Sequence, residues 1–246
     1  MNTTIVWSNK KYQFDLNKGI DLSLPYGGEK SAFAWGSKAV KFTPVQYGDW
    51  VGAVEQGASV NFFDIQFNPH GNGTHTEWAG HLLTTRGSIN SVLKRYWFKS
   101  MLIDAQVVNG GYLDLPLTAI SLEKPEALII RSFQNDLGPQ RIDFWQTNPP
   151  FLLPDQCAYL ADIGINHLLI DLPSIDPEQD NGALAAHKAF WQFDREIREH
   201  ATITELICVP SHLASGVYLL NLQVAPFEND ASPSRPLLYE LVEVEQ

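Results

Sequence analysis

Three residues in one short segment combine two imidazoles with a carboxylate. His75, Glu77 and His81 lie within residues 73–81, which read Gly-Thr-His-Thr-Glu-Trp-Ala-Gly-His. All three have odd numbers, so in an extended chain their side chains project to the same side. Imidazole and carboxylate form the mixed nitrogen and oxygen donor set that suits zinc, manganese or iron. The segment therefore predicts part of a metal site, which residues elsewhere in the chain must complete.

The elements that would position this segment can be predicted from apolar patterns. Residues 59–67 are typical of a strand and run into the turn-like residues 68–73, so the segment begins where a strand leaves the core. Further strands are predicted at residues 101–108, 127–131, 167–172, 203–209 and 216–224.

Two helices are predicted among these strands. One covers residues 154–164, with Pro154 at its start and Gly164 at its end. It separates two apolar strands, an order that implies a right-handed parallel crossover. A longer helix is predicted from Ala183 to about His200. The class is therefore α/β with a mixed sheet.

The segment resembles the signature His-x-Gly-Thr-His-x-Asp-x-Pro-x-His of the cyclase or kynurenine formamidase-like metal hydrolases. The matching stretch is residues 71–81, and the likeness continues along most of the chain in the same order. The other matching elements are Asp21-Leu-Ser, Gly87-Ser-Ile-Asn, residues 164–176, Ala186-His187, residues 203–206 and Ser232-Pro-Ser-Arg235. The resemblance implies a cyclase-like fold of the swivelling β/β/α type.

The resemblance also implies roles for individual residues. His75 and His187 would be metal ligands, Glu77 a bridging or shared carboxylate ligand, and Glu205 the remote carboxylate ligand. The cofactor would be Zn²⁺ or Mn²⁺, as one or two ions. His81 would move protons and would not bind the metal, because a general base must stay free to exchange protons near neutral pH.

Each role has a simpler structural alternative. His75, Glu77 and His81 could be solvated side chains of a polar loop, and His187 could be a helix histidine hydrogen-bonded in the core. Glu205 lies in a predicted strand, where an unpaired carboxylate would be costly to bury and a cation would remove that cost. Tryptophans 35, 50, 78 and 97 could wall a pocket or belong to the core, and Asp171 and Asp176 could order the site or cap a helix.

The sequence departs from the signature at its first histidine, which falls on Gly71. The neighbouring His70 has the wrong parity for an extended strand. Either the glycine-rich turn rotates His70 inward as a further metal ligand, or this ligand is missing and the site holds one ion. Glu77 in place of aspartate and Ala79 in place of proline are further departures.

Composition excludes other classes of partner. The 246 residues carry a formal net charge of −11 without a Lys/Arg run, so binding to nucleic acid or to an anionic membrane surface is not expected. We find no signal peptide and no apolar stretch near the roughly 20 residues of a membrane span. Cys157 and Cys208 lie in apolar contexts without disulfide or Cys-x-x-Cys spacing. We expect a single domain over residues 1–246 in the cytoplasm.

The predicted function is hydrolysis of a small amide, formamide (arylformamidase-like) or cyclic amide by a metal-activated water, with a histidine as proton shuttle. The partner would be a small-molecule substrate, and the resemblance suggests a homo-oligomer, a dimer. Two alternatives stay open: a degenerate member of the fold that binds a small molecule without turnover, and a metal-dependent isomerase or dehydratase.

Overall fold

The computed structural model describes residues 1–7, 10–84, 87–134 and 137–244. Its strands, in chain order, are β1 Asn2–Trp7, β2 Lys10–Asp15, β3 Ile20–Asp21, β4 Lys41–Pro44, β5 Gln46–Tyr47, β6 Trp50–Val51, β7 Phe63–Gln66, β8 His75–Trp78, β9 Trp97–Asp104, β10 Gln106–Val107, β11 Leu113–Asp114, β12 Ala127–Arg131, β13 His167–Ile170, β14 Thr202–Glu205, β15 Gly216–Asn221, β16 Ala231–Pro233, β17 Leu237–Glu240 and β18 Val242–Val244. The helices are α1 Pro69–Asn72, α2 Ile89–Val92, α3 Leu117–Glu123, α4 Pro154–Asp162 and α5 Ala185–Phe190, with 3₁₀ turns at Leu16–Lys18, Val54–Gln56 and Ala79–His81.

A nine-stranded mixed sheet organises the molecule. Its strand order is β16-β8-β14-β13-β12-β9-β15-β17-β3. The central strands β14, β13, β12 and β9 are parallel to their neighbours within that group, and the flanking pairs are antiparallel. The prediction of an α/β class with a mixed sheet is therefore confirmed.

The predicted strand, helix and strand in the middle of the chain are also confirmed. β12 and β13 are fully buried and pair in parallel, and α4 lies between them in the chain. Continuous apolar strands of this kind need cover on both faces of the sheet. α4 supplies Cys157, Leu160 and Ala161 to the same core cluster.

The long helix predicted from Ala183 to about His200 is wrong, because α5 ends at Phe190. Gln192 follows with a left-handed φ of 55°, which helices do not continue through. The guanidinium of the buried Arg198 then donates to the carbonyls of Phe190 and Ile165. These contacts fold residues 191–200 back as irregular chain instead of a further helical turn.

The strand predicted at residues 59–67 is shorter and lies outside the main sheet. Only β7 is extended, and it pairs with β4 in a two-stranded ribbon whose apolar side chains are largely exposed. Among the described helices, none has the length and apolar character required to cross a membrane.

Candidate active site and metal centre

Two neighbouring strands place one imidazole and two carboxylate side chains next to one another. His75 and Glu77 alternate along β8, and antiparallel pairing sets Glu205 of β14 directly opposite His75. His75 Nε2 lies 3.3 Å from Glu205 Oε2. One donor atom from each of the three residues lies within 4.8 Å of the other two, and all three side chains are buried. The solvated loop considered as an alternative for His75 and Glu77 is wrong.

α5 brings His187 to the same cluster. Its Nε2 lies 3.0 Å from Glu77 Oε1 and 3.5 Å from Glu205 Oε1. Its Nδ1 donates to Asp176 Oδ2 at 2.6 Å, and the Asp176 carboxylate also accepts from the backbone N–H groups of Ala186 and His187. Asp176 therefore caps α5 and orients His187 at once.

His70 enters the site through a turn that the parity argument did not foresee. α1 is one helical turn whose N-terminal Asn68 accepts from the backbone N–H of His70. Helical geometry rotates the His70 side chain inward, and its Nδ1 lies 3.1 Å from Glu77 Oε2. A Cβ at Gly71 would lie 2.5 Å from Ser37 Oγ, so a side chain there would force the turn to shift. Of the two alternatives for His70, the structure shows inward rotation.

His81 lies at the open side of the cluster, on a 3₁₀ turn instead of an extended strand. Its Nδ1 faces Asp230 Oδ2 at 2.8 Å and Glu77 Oε2 at 3.9 Å. The same Asp230 oxygen lies 3.1 Å from His70 Nε2. Sequence reasoning missed Asp230; its position two residues before the Ser232-Pro-Ser-Arg235 element was the available signal.

Three of the imidazoles share one hydrogen-bonding pattern. One ring nitrogen donates to an oxygen, which is Asp230 for His70, the Gly73 carbonyl for His75 and Asp176 for His187. The other nitrogen faces Glu77 or Glu205. Histidines that bind metals are held in this way, with the second nitrogen donating to a carboxylate or carbonyl.

The His75 Nε2 atom is the clearest sign that this site is built for a cation. It is buried, and within the described part of the chain it has no hydrogen-bond partner, since its approach to Glu205 is not aligned for one. A buried nitrogen lone pair aimed between two buried carboxylates is an unfavourable arrangement without a positive charge. The donors present therefore fit a divalent cation.

The field of the carboxylates shifts the pKa values of the neighbouring groups. Burial alone would lower the pKa of His70, but Asp230 and Glu77 raise it to about 10. Burial likewise opposes a charge on His187, yet Asp176, Glu205 and Glu77 raise its pKa well above the usual value. Burial would raise the pKa of Glu77, and the surrounding histidines instead hold it well below its ordinary range. The cluster therefore favours positive charge at its centre.

A cleft of about 330 Å³ opens over these side chains. Trp35, Pro177 and Leu184 contribute apolar surface to its lining, and His70, His81 and His187 also line it. Trp35 has a left-handed φ of 60°, and its side chain is 37% exposed. The other tryptophans considered for a pocket wall are not among the lining residues: Trp50 stacks on Tyr47, Trp78 is buried, and Trp97 packs on Phe14 and Tyr239.

Asp171 and three other histidines lie outside the cluster. Asp171 accepts from the backbone and hydroxyl of Ser132 and caps no helix. His167 bonds to Thr202 in the core, whereas His200 and His212 are exposed.

Comparison with known proteins relates this chain to a family of hydrolases. The family model named Cyclase matches residues 20–177. A kynurenine formamidase of Bacillus cytotoxicus is 27% identical over 190 residues, covering 76% of this chain and 84% of that protein. A kynurenine formamidase of Bacillus anthracis is 26% identical over 225 residues, which cover 90% of this chain and 97% of that protein. A solved isatin hydrolase bound to the product analogue thioisatinate superposes with a TM-score of 0.65 at 16% identity, covering 92% and 93%. The cyclase-like fold is thereby confirmed.

Proposed function

Because the chain belongs to the cyclase family, we propose that it is a metal-dependent hydrolase of carbon–nitrogen bonds in small amides, formamides or cyclic amides. The observation that carries the proposal is the group of three oriented imidazoles around two buried glutamates, with His75 Nε2 lacking a hydrogen bond among the described residues. The relatives named above are hydrolases of this kind of bond.

The donor geometry favours Zn²⁺ or Mn²⁺ at one or two positions. His75, His187 and Glu205 surround one position together with Glu77. His70 faces the second oxygen of Glu77 at 3.1 Å, so the two Glu77 oxygens point at different histidines. This division supports a bridging role for Glu77 and a second ion beside His70.

A divalent cation in this site would supply Lewis acidity, which polarises a carbonyl oxygen and makes water more acidic. His81 would accept a proton from the attacking water and deliver it to the leaving nitrogen as the carbon–nitrogen bond breaks. Its side chain is 29% exposed, more than those of the buried His75 and His187, and this position suits proton exchange. Asp176 would hold His187 in place throughout.

The cleft suggests a planar, apolar substituent on the substrate. Trp35, Pro177 and Leu184 offer apolar surface beside the histidines, and an indole face is suited to stacking on an aromatic ring. An aryl formamide or a cyclic aryl amide would place its ring there and its carbonyl over Glu77 and Glu205. This fit supports an arylformamidase-like substrate.

We further propose that the protein is a homodimer joined by an arm, defined as residues 41–66. Phe42, Tyr47, Phe62 and Ile65 of this arm are each half-exposed or more. Half-exposed side chains of this size present on the order of 100 Å² each. With Val54 and Val60 the arm therefore offers much of the roughly 800 Å² per partner that a standard interface buries. Phe62→Asp should yield monomers in analytical ultracentrifugation, whereas Leu122→Asp, at an exposed site outside the arm, should not.

The function is tested by measuring metal content and turnover on the same samples. Protein reconstituted with zinc or with manganese is assayed with a formanilide, with isatin and with a hydroxy acid. His81→Ala should abolish turnover and leave metal content near normal, while His75→Ala should lose both. His212→Ala, an exposed histidine outside the cluster, is the matched control and should match the wild type.

Each alternative has its own result. Absence of bound metal after reconstitution would contradict the proposal and favour a degenerate binding protein. Turnover of the hydroxy acid without turnover of either amide would indicate an isomerase or dehydratase. A fully active His81→Ala protein would remove the proposed proton shuttle.

A further inference from the structure

From the contacts of Asp230 we infer that this residue is a positioning residue that sets the tautomer and orientation of His81, and through the same oxygen those of His70. Asp230 Oδ2 lies 2.8 Å from His81 Nδ1 and 3.1 Å from His70 Nε2. The two imidazole rings are adjacent, with centroids 4.4 Å apart. The inference rests on the proposed function only in the chemical role that it assigns to His81.

The chain around Asp230 holds this carboxylate firmly. Asp230 immediately precedes β16, which pairs with β8 so that Ala231 lies opposite Glu77. The Asn229 carbonyl accepts from the backbone N–H of Ile89, and the Asn229 amide donates to the Ala231 carbonyl. These bonds tie both sides of Asp230 to neighbouring elements, so its carboxylate is presented to the two rings in one place.

A carboxylate can only accept hydrogen bonds, so the nitrogen of each ring that faces it must carry hydrogen. His81 then has Nδ1–H directed at Asp230, and its Nε2 lone pair is available to accept a proton. His70 has Nε2–H directed at the same oxygen, so Nδ1, which lies 3.1 Å from Glu77 Oε2, is the nitrogen that would give up its hydrogen to bind a cation. One carboxylate therefore selects opposite tautomers in two neighbouring rings, each with the free nitrogen that its proposed role requires.

The same carboxylate would stabilise the charged form of His81. Proton transfer from water makes His81 an imidazolium beside a second imidazole, which is unfavourable without a nearby anion. Asp230 Oδ2 is 2.8 Å from His81 Nδ1, so the positive charge would form next to a negative one. The aspartate of a serine hydrolase triad orients and stabilises its histidine by the same logic.

The direct test is nuclear magnetic resonance of the zinc-loaded protein labelled with ¹⁵N in its histidine rings. The His81 signals are identified by their loss in His81→Asn. In the wild type we expect hydrogen on Nδ1 and none on Nε2 of His81. In Asp230→Asn the amide can either accept or donate, so this preference should be lost, and Asp230→Glu should preserve it.

Kinetics on the same variants measure the consequence. Rates are expressed per bound zinc, because Asp230 also contacts His70. We expect Asp230→Asn to lower kcat by about 10–100-fold, as losses of such supporting partners do. KM should stay within about threefold, since the substrate contacts are unchanged. Glu228→Gln is the matched control on the same loop, because Glu228 bonds to Ser88 and Asn90 and touches neither histidine.

The outcomes separate this inference from the proposed function. If the wild type hydrolyses no amide, the proposed function fails, and the tautomer measurement still decides the role of Asp230. An unchanged His81 tautomer in Asp230→Asn, or an unchanged kcat per bound zinc, would overturn the inference. An equal loss in Glu228→Gln would do so too, because it would show a general effect of the loop. Thermal unfolding of each variant confirms that it is folded.

Discussion

Replacing Gly71 by alanine tests whether crowding by Ser37 excludes a side chain at position 71 and thereby fixes the turn that points His70 inward. Gly71 is buried and its φ is not in the left-handed region, so alanine is compatible with the backbone. The added Cβ would lie 2.5 Å from Ser37 Oγ, 2.6 Å from Ser37 Cβ and 3.1 Å from the Ala34 carbonyl oxygen. Ser37 is not free to turn away, because its hydroxyl donates to the Gly71 carbonyl at 2.7 Å and accepts from Asn72.

The expected effect follows from these distances. Ordinary carbon contacts lie near 3.5–4.0 Å, so the turn must move by about 1 Å to accommodate the methyl group. Overpacking of this kind typically destabilises a protein by about 1–3 kcal/mol. His70 moves with the turn, and a displacement of about 1 Å in a positioning group can reduce turnover by roughly 100-fold.

A double-mutant cycle with Ser37→Gly isolates the clash. Ser37→Gly removes both crowding atoms, so Gly71→Ala should cost little in that background, with a coupling of about 1–2 kcal/mol. Urea unfolding followed by tryptophan fluorescence gives the free energies, and zinc content per chain reports the site. Wild-type stability and zinc content in Gly71→Ala alone would refute the steric explanation. Equal destabilisation by Gly71→Ala in both backgrounds would refute it as well.

Three further predictions follow from other buried groups. Asp176→Asn should weaken zinc binding by about 10–100-fold in competition with a chelator, because His187 loses its orienting carboxylate. Burial raises the pKa of Asp171 to about 6, above its value in the unfolded chain, so its ionisation lowers stability as the pH rises from about 4 to 6. Asp171→Asn should remove this slope, which is up to about 1.4 kcal/mol per pH unit in the free energy of unfolding measured with urea. If the difference in unfolding free energy between variant and wild type is the same at about pH 4 and about pH 6, the prediction is wrong. Burial lowers the pKa of His167 to about 3, so stability should fall as the pH drops from about 6.5 towards 3, and His167→Gln should reduce this loss.

Local patterns in the sequence predicted the strand, helix and strand at the centre of the sheet, and they predicted that His75 and Glu77 share a face if their segment is extended. Alternation of side chains along a strand is a property of consecutive residues, so the shared face of these two side chains could be read directly. The order of elements along most of the chain pointed to the cyclase family and, through it, to His187 and Glu205. Neither residue could be placed in the site by its own neighbours in the sequence.

Tertiary structure decided how the site is completed. His70 points inward because one helical turn interrupts the extended chain, and crowding by Ser37 keeps the next position a glycine. The contact between Asp230 and His81 spans 149 residues, and only the pairing of β16 with β8 brings them together. α5 is short because Arg198, eight residues beyond Phe190, binds its last carbonyl. Such contacts depend on where distant segments pack, and no periodicity along the chain encodes them.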